Sequence, residues 1–203
     1  MNMKYISLDI ETVPFEITDE DIKTYLMDKK ISKERRSMDP NYSKIVVICV
    51  KILGEDVKIF FDDSEKKILE DFWNFLKENK AFVLVTHNGY KFDMPFVIVR
   101  SCVNNVDIPV FVNMNRWQME TSNHFDTMLF FSQYENFTNP NLEILAKLNG
   151  IEVPTQRLSG ADVERIYKEG DLEKIKERCQ QDVEILEKVF VKLCLNYLKS
   201  KVK

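Results

Sequence analysis

Apolar positions recur along the chain with period two in some stretches and with period three to four in others. Lys4-Tyr5-Ile6-Ser7-Leu8-Asp9-Ile10-Glu11-Thr12 reads as a buried strand through Tyr5, Ile6, Leu8 and Ile10, and it is predicted to end at Thr12-Val13-Pro14. Residues 15–43 are mostly polar, with a helix-like stretch beginning near Thr18-Asp19-Glu20-Asp21 and a close at Pro40. Lys44 to Leu53 reads as a second buried strand, turned at Gly54-Glu55-Asp56 into a hairpin with Val57 to Phe61. Behind a cap at Asp63-Ser64, the positions Ile68, Leu69, Phe72, Phe75 and Leu76 predict a helix. The short apolar run Phe82-Val83-Leu84-Val85 follows. A helix connects it to the preceding strands, so it is expected to lie parallel to the first strand.

The second half repeats the alternation. After Phe82 to Val85 the chain enters Thr86-His87-Asn88-Gly89-Tyr90-Lys91-Phe92-Asp93, where Gly89 suits a tight turn and Asp93 opens a helix. Asn123 to Leu129 reads as a strand running into a helix. Asn141 to Gly150 is a helix with an Asn cap and a Gly stop, and another begins at Ser159-Gly160 and ends at Gly170. The last helix starts near Asp171 and carries a stripe of Leu172, Ile175, Cys179, Leu186, Phe190, Leu193 and Tyr197. The order predicts an α/β fold: a mixed sheet, an antiparallel meander plus parallel strands, flanked by helices.

Composition narrows the class without choosing a function. The 203 residues are 44% hydrophobic and 31% charged, as in an ordinary globular protein able to bury a substantial core. A net charge of −4 does not advertise nucleic-acid binding, though a local acidic cluster can hide a basic rim. The four cysteines are scattered with no C-x-x-C pair, which argues against zinc and disulfides and for a reducing compartment. No signal-like segment and no run long enough to span a bilayer is present, so a cytoplasmic protein without membrane partners is expected. The most basic stretch, Lys29 to Arg36, reads as a solvated helix face in preference to a phosphate-contacting loop.

The candidate chemistry lies where acids interrupt apolar patterns. Asp9 and Glu11 share one face of the first strand because side chains alternate with period two. Two adjacent acids near a core are costly unless a cation lies between them, and hard oxygen ligands suit Mg²⁺ or Mn²⁺. Asp93 sits just beyond a second central strand, where α/β sheets place their sites. Asp182 falls on the apolar stripe of the last helix, where an acid is either a liability or a ligand. Asp126 is read as a helix cap or a supporting group, and His124 as an alternating strand position without a catalytic role. Trp117 with Arg116 belongs either to a base-stacking surface or to the core.

Asp-Ile-Glu-Thr followed by Asn-x-x-x-Phe-Asp resembles the first two motifs of the DEDD superfamily of 3′–5′ exonucleases. The nearest likeness is to the proofreading domain of family B DNA polymerases and its stand-alone relatives. The later order also resembles those relatives: Ser-Gly-x-x-Val at Ser159 to Val163, then Tyr-x-x-Gly-Asp at Tyr167 to Asp171. They usually carry a lysine shortly before the Ser-Gly, a place that Arg157 either takes or leaves empty. The resemblance implies a ribonuclease H-like fold and a single exonuclease-like domain over 1–203, with a locally basic insertion at about 15–43. It implies that Asp9, Glu11, Asp93 and Asp182 bind two divalent cations, Mg²⁺ or Mn²⁺, and that Thr12, Asn88, Phe92 and Arg178 contact substrate. Phe92 either stacks on a base or packs beneath the site. The expected reaction is hydrolysis of terminal phosphodiesters of single-stranded DNA or RNA, DNA favoured, from the 3′ end to nucleoside 5′-monophosphates. A larger replication or repair assembly is an expected partner.

One position departs from the pattern. The polymerase-like branch has a tyrosine four residues before the last acid, and the other large branch has a histidine five before it. Here those positions are Arg178 and Glu177. A guanidinium stays charged and cannot act as a general base. It can hold Asp182, clamp a phosphate oxygen or compete with a cation, while Tyr90, His87 or Arg178 itself are the candidates to compensate for the tyrosine. The competing expectation is a binding module on the same fold that has lost hydrolysis.

Overall fold

The computed structural model describes residues 3–201. Its strands are β1 (Lys4–Pro14), β2 (Ser43–Ile52), β3 (Val57–Phe60), β4 (Phe82–Thr86) and β5 (His124–Asp126). They form one mixed sheet in the order β3-β2-β1-β4-β5. The β1–β2 and β2–β3 pairs are antiparallel, and β1–β4 and β4–β5 are parallel, as the alternation of the sequence implied. The helices are α1 (Glu20–Asp28), α2 (Lys33–Ser37), α3 (Glu65–Glu78), α4 (Asp93–Val103), α5 (Thr127–Phe131), α6 (Leu142–Leu148), α7 (Val163–Glu169), α8 (Leu172–Val189) and α9 (Leu195–Lys201). Among the described residues no helix is long and apolar enough to cross a membrane.

β1 outruns its expected end. Glu11 pairs with Val47 and Thr12 with Ile45, so Val46 is the extra residue of a bulge, and pairing then continues to Pro14 opposite Ser43. Pro14 lacks an N–H but is the last residue of the strand, where a missing donor costs little. Alternation sends Ile6, Leu8 and Ile10 to one face, where they pack with Phe72, Trp73 and Leu76 of α3 and Met94, Phe96 and Val97 of α4. Ser7, Asp9, Glu11 and Val13 point the other way. There Val13, Val47 and Cys49 meet Val163 and Ile166 of α7 and Ile175, Cys179 and Val183 of α8. The two acids of β1 therefore face α8.

The final helical stretch is not one regular helix. A π-helical segment, Phe190–Cys194, joins α8 to α9. Its wider turn moves the buried stripe by one residue. Cys194, Leu195 and Leu198 are buried there, while Leu193 and Tyr197, which a regular repeat would bury, are only half-buried.

The segment 15–43 holds two capped helices. Asp19 accepts from the N–H groups of Asp21 and Ile22 at 2.9 and 3.0 Å, and Ser32 accepts from Arg35 N–H at 3.2 Å. α2 buries no residue, in keeping with a solvated basic face.

Candidate active site

Three elements deliver four acids to one place. Asp9 and Glu11 come from β1, Asp93 is the first residue of α4, and Asp182 lies on the sheet-facing side of α8. Glu11, Asp93 and Asp182 are buried, and Asp9 is half-buried with its Oδ2 shut away from solvent and without a hydrogen-bond partner. The backbone N–H groups of Asp93 itself and of Ile10 favour the Asp93 carboxylate, which sets the start of α4 beside β1.

The electrostatics mark the four as one cluster. Burial first, then the charges of Asp182, Glu11 and Asp93, hold the Asp9 carboxyl well above its ordinary range, against some relief from Arg178. Burial lifts Glu11 to about 7, opposed by Arg178 and reinforced by Asp182. Burial lifts Asp93 to about 8, with Asp126 and Glu11 adding to the rise and backbone N–H groups opposing it. Two like charges 4 Å apart repel by about 4 kcal/mol at an effective dielectric constant of 20. A fold stable by roughly 5–15 kcal/mol cannot ionise four such groups together without cations.

Two arginines supply part of that compensation. Arg178 Nη1 donates to Glu11 Oε1 at 2.6 Å and also to Asp182 Oδ2. Arg157 Nη2 donates to Asp182 Oδ1, and its Nη1 lies 3.5 Å from Glu143 Oε2. Burial opposes the charge on Arg178, but Glu11, Asp182 and Asp9 outweigh it and hold the guanidinium above its usual range. Arg157 thus reaches the last acid of the set. The signal for it in the sequence was faint: it is the one cation between Lys147 and Arg165.

The cluster's donor set can be tested for fit to a metal. Single ligand atoms of Asp9, Glu11 and Cys179 lie within 4.8 Å of one another. The Cys179 Sγ donates to the Asp9 carbonyl at 3.4 Å, and burial, with Cys49 beside it, raises its thiol well above the ordinary value. It is a protonated thiol and a poor ligand. What remains at that distance is the carboxylates of Asp9, with one oxygen buried and unpaired, and Glu11, a pair that fits a hard divalent cation, while Asp93 and Asp182 stand farther out.

Supporting groups fix the loop before α4. Asp126 caps α5 by accepting from Leu129 N–H at 3.1 Å, and it also accepts from Asn88 and Tyr90 N–H at 3.0 and 3.1 Å. It fills both roles anticipated for it. Gly89 is required because a Cβ there would stand 2.3 Å from Thr86 Oγ1. Tyr90 donates from its hydroxyl to the His124 carbonyl at 2.8 Å and stacks on the His124 ring at 4.1 Å. Burial pushes the Tyr90 phenol up to about 12 and the His124 imidazole down to about 3, so His124 is a neutral core residue. His87 is held between Thr127 Oγ1 and the Pro140 carbonyl, 2.8 and 2.9 Å away, and burial lowers its pKa. Of the three groups considered in place of the missing tyrosine, only Arg178 touches the acids.

The expected substrate contacts separate. Thr12 points to the opposite face of β1, where its hydroxyl donates to the Ser37 carbonyl at 2.8 Å. Alternation along a strand makes this the rule for the neighbour of Glu11. Phe92 packs edge-on against Phe96, 5.4 Å between centroids, at the margin of the main core. Asn88 is half-buried with left-handed φ of 76°, beside Lys91, Arg116 and Asp126. Trp117 belongs to the surface, 70% exposed, stacked on Tyr134 at 5.2 Å with the Arg116 guanidinium 5.1 Å from its ring. Tyr134 lies in a loop without periodicity, and no signal in the sequence singled it out.

Comparison with known proteins agrees with this architecture. A family model described as a predicted 3′–5′ exonuclease related to the exonuclease domain of PolB matches residues 38–202. The matched range begins after β1, so Asp9 and Glu11 lie outside it. The catalytic polypeptide of DNA polymerase epsilon from Aspergillus fumigatus is 40% identical over 50 residues, 25% of this chain and 2% of that protein. A DNA polymerase of Archaeoglobus fulgidus is 22% identical over 171 residues, 80% of this chain and 22% of that one. The chain therefore spans at most 22% of the length of these curated relatives. The family B DNA polymerase from the hyperthermophilic archaeon Pyrobaculum calidifontis superposes with a TM-score of 0.65 at 18% identity, over 95% of this chain and 25% of that one. The mixed five-stranded sheet and its flanking helices have the ribonuclease H-like fold of the PolB exonuclease. By the extent of the family match, the chain belongs to the predicted 3′–5′ exonucleases related to the exonuclease domain of PolB.

Proposed function

We propose that this protein is a metal-dependent 3′–5′ exonuclease that removes nucleoside 5′-monophosphates from single-stranded nucleic acid, DNA in preference to RNA. The observation that carries the reading is the convergence of Asp9, Glu11, Asp93 and Asp182, with a buried unpaired oxygen on Asp9, in a chain of this family. These four would hold the divalent cations, Mg²⁺ or Mn²⁺, two in number by the family resemblance. Such ions, when bound, offset phosphate charge and make a water molecule more acidic.

The chain's own groups do the rest. Glu11 and Asp93, raised to about 7 and 8, give up protons as a cation enters, so loading is favoured by rising pH. Arg178 carries a fixed charge and N–H donors, and is positioned to hold a phosphate oxygen once cations relieve it of Glu11 and Asp182. Asp126 keeps the loop before α4 in register with the acids. The Trp117–Tyr134 stack, with Arg116 against it, offers a platform for an unpaired base. The matched relatives are DNA polymerases, which supports action within a larger replication or repair assembly.

Incubation of 5′-labelled single-stranded DNA and its RNA counterpart with Mn²⁺, Mg²⁺ or EDTA tests the proposal, with Asp9→Ala run alongside. The expected result is a metal-dependent ladder shortening from the 3′ end, reduced at least ~10³-fold in the variant. If neither strand shortens while both still bind, the protein is a binding module and the catalytic reading falls.

A further inference from the structure

A sizeable concavity has none of the four acids in its lining. It is a groove of about 900 Å³ between the segment 15–43 and α7. Six cations line it, Lys23, Lys30, Lys33, Arg36, Lys44 and Lys168, against two glutamates, so its lining carries 6 − 2 = +4. The whole chain carries −4. A concentration of positive charge this far from the average is an electrostatic footprint for an anionic polymer. The deeper lining is apolar and aromatic, with buried Leu26 and half-buried Phe15 and Tyr167.

Pairing leaves part of this charge available. Lys33 and Lys168 share Glu164 at 3.0 Å each, and Lys23 pairs with Glu20 at 2.6 Å. Lys44 lies over the Tyr167 ring at 5.1 Å and donates to its hydroxyl at 2.9 Å. Lys30 and Arg36 form no ion pair among the described residues. The groove neighbours the acidic cluster along two elements. β1 passes from Glu11 into Val13 and Pro14 of the groove wall within three residues. On the other side, Gly160, in the turn that leads into α7, lies against the Arg178 guanidinium, which would be 3.5 Å from a Cβ placed there.

We propose that this groove binds the single strand on the 5′ side of the reacting end, its rim meeting phosphates and its deeper lining meeting bases. The inference rests on the exonuclease reading for the direction of the strand. A cationic rim over an aromatic lining is the combination by which single strands are held without sequence preference. An uncharged small molecule would make no use of six cations. The segment that builds most of this wall lies before residue 38, outside the range of the family match.

The test is fluorescence anisotropy with labelled oligothymidylate of about 15 nucleotides in EDTA, from about 50 to 300 mM NaCl, on wild type and Lys30→Glu/Arg36→Glu. Each phosphate contact contributes a log–log salt slope of about −0.7 for a single strand. Loss of two contacts should flatten the slope by about 1.4 and weaken binding at least tenfold at the lowest salt. Lys30→Ala/Arg36→Ala, which cannot repel a strand, should give the same flattening with a smaller loss. Unchanged slope in both variants, or no binding by wild type at the lowest salt, overturns the proposal. Hydrolysis of the p-nitrophenyl ester of thymidine 5′-monophosphate by wild type with Mn²⁺ needs the acids but not the groove. Its absence alongside intact groove binding would remove the exonuclease reading and leave the groove as a nucleic-acid site.

Discussion

Arg178 sets the chemistry of the acidic cluster at the scale of single residues. Its Nη1 rests on Glu11 and Asp182, so a guanidinium and an entering cation draw on the same oxygens. Hydrogen bonds to charged groups contribute about 1.5–3 kcal/mol each, and a metal must displace or share them. Arg178→Tyr, which restores the residue of the polymerase-like branch, should therefore tighten Mn²⁺ binding at least tenfold, read from free Mn²⁺ by electron paramagnetic resonance. The metal-free variant should melt lower than wild type, because two buried acids lose their compensation. Equal or weaker Mn²⁺ binding would show that Arg178 does not contend with the metal. Asp9, Glu11 and Asp182 stood out in the sequence because each breaks the apolar pattern of a strand or a helix stripe, and Asp93 because it opens a helix just beyond a central strand. Arg157 was pointed to only by the family resemblance and Tyr134 by nothing, since both lie in irregular segments where spacing says nothing about which side chains meet. Thr12 was misplaced for a physical reason: a motif read as a string ignores that its fourth residue points away from its third.

Among the elements, the antiparallel meander and the parallel setting of β4 against β1 followed from hydrophobic periodicity and from the helix before β4, while the place of β5 at the sheet edge did not. The bulge at Val46 and the π segment at Phe190–Cys194 did not, because each is a one-residue change of register that leaves composition untouched. The polar segment 15–43 looked like an appendage, yet a buried ion pair moors it. Arg100 donates through Nε and Nη2 to Glu65 at 2.9 and 2.6 Å, and through Nη1 to the Pro40 carbonyl at 3.2 Å, with Phe15 5.0 Å from its guanidinium. Glu65 Oε1 also accepts from Ile45 N–H at 2.8 Å, beside the bulge. Removing one partner of a buried pair strands the other charge at a cost of about 3–5 kcal/mol, whereas a matched apolar pair is often tolerated. Arg100→Leu should lose that amount in urea unfolding, and Arg100→Leu/Glu65→Leu should recover part of it. A single-variant loss under about 1 kcal/mol would mean that the segment is held by other contacts.

For the whole molecule, the acidic cluster links folding to pH and, on the proposed reading, to metal. Glu11 and Asp93 have folded pKa values raised to about 7 and 8, against ordinary values of 4.5 and 3.8. A raised acid holds its proton more tightly in the folded state, so its stabilising contribution is complete below the unfolded pKa and is lost as pH rises towards the folded one. His124 acts in the opposite sense: lowered to about 3, it destabilises the fold as pH falls below 6.5, where the unfolded imidazole takes up a proton. The acids therefore dominate above about pH 6.5, and the metal-free protein should melt at a lower temperature at about pH 8 than at about pH 6.5. Asp93→Asn, which removes one of these protons, should flatten the dependence. On the proposed metal reading, a divalent cation would reverse the trend, because it would bind the deprotonated cluster and so bind more tightly as pH rises. At a concentration about a hundredfold above its Kd it adds about 2.7 kcal/mol. For a chain of this size that is a rise of roughly 5–10 °C in Tm. The Mn²⁺-induced rise should be larger at the higher of the two pH values than at the lower. A metal-free protein whose Tm climbs or stays level over that interval would mean that Glu11 and Asp93 do not hold their protons in the folded state.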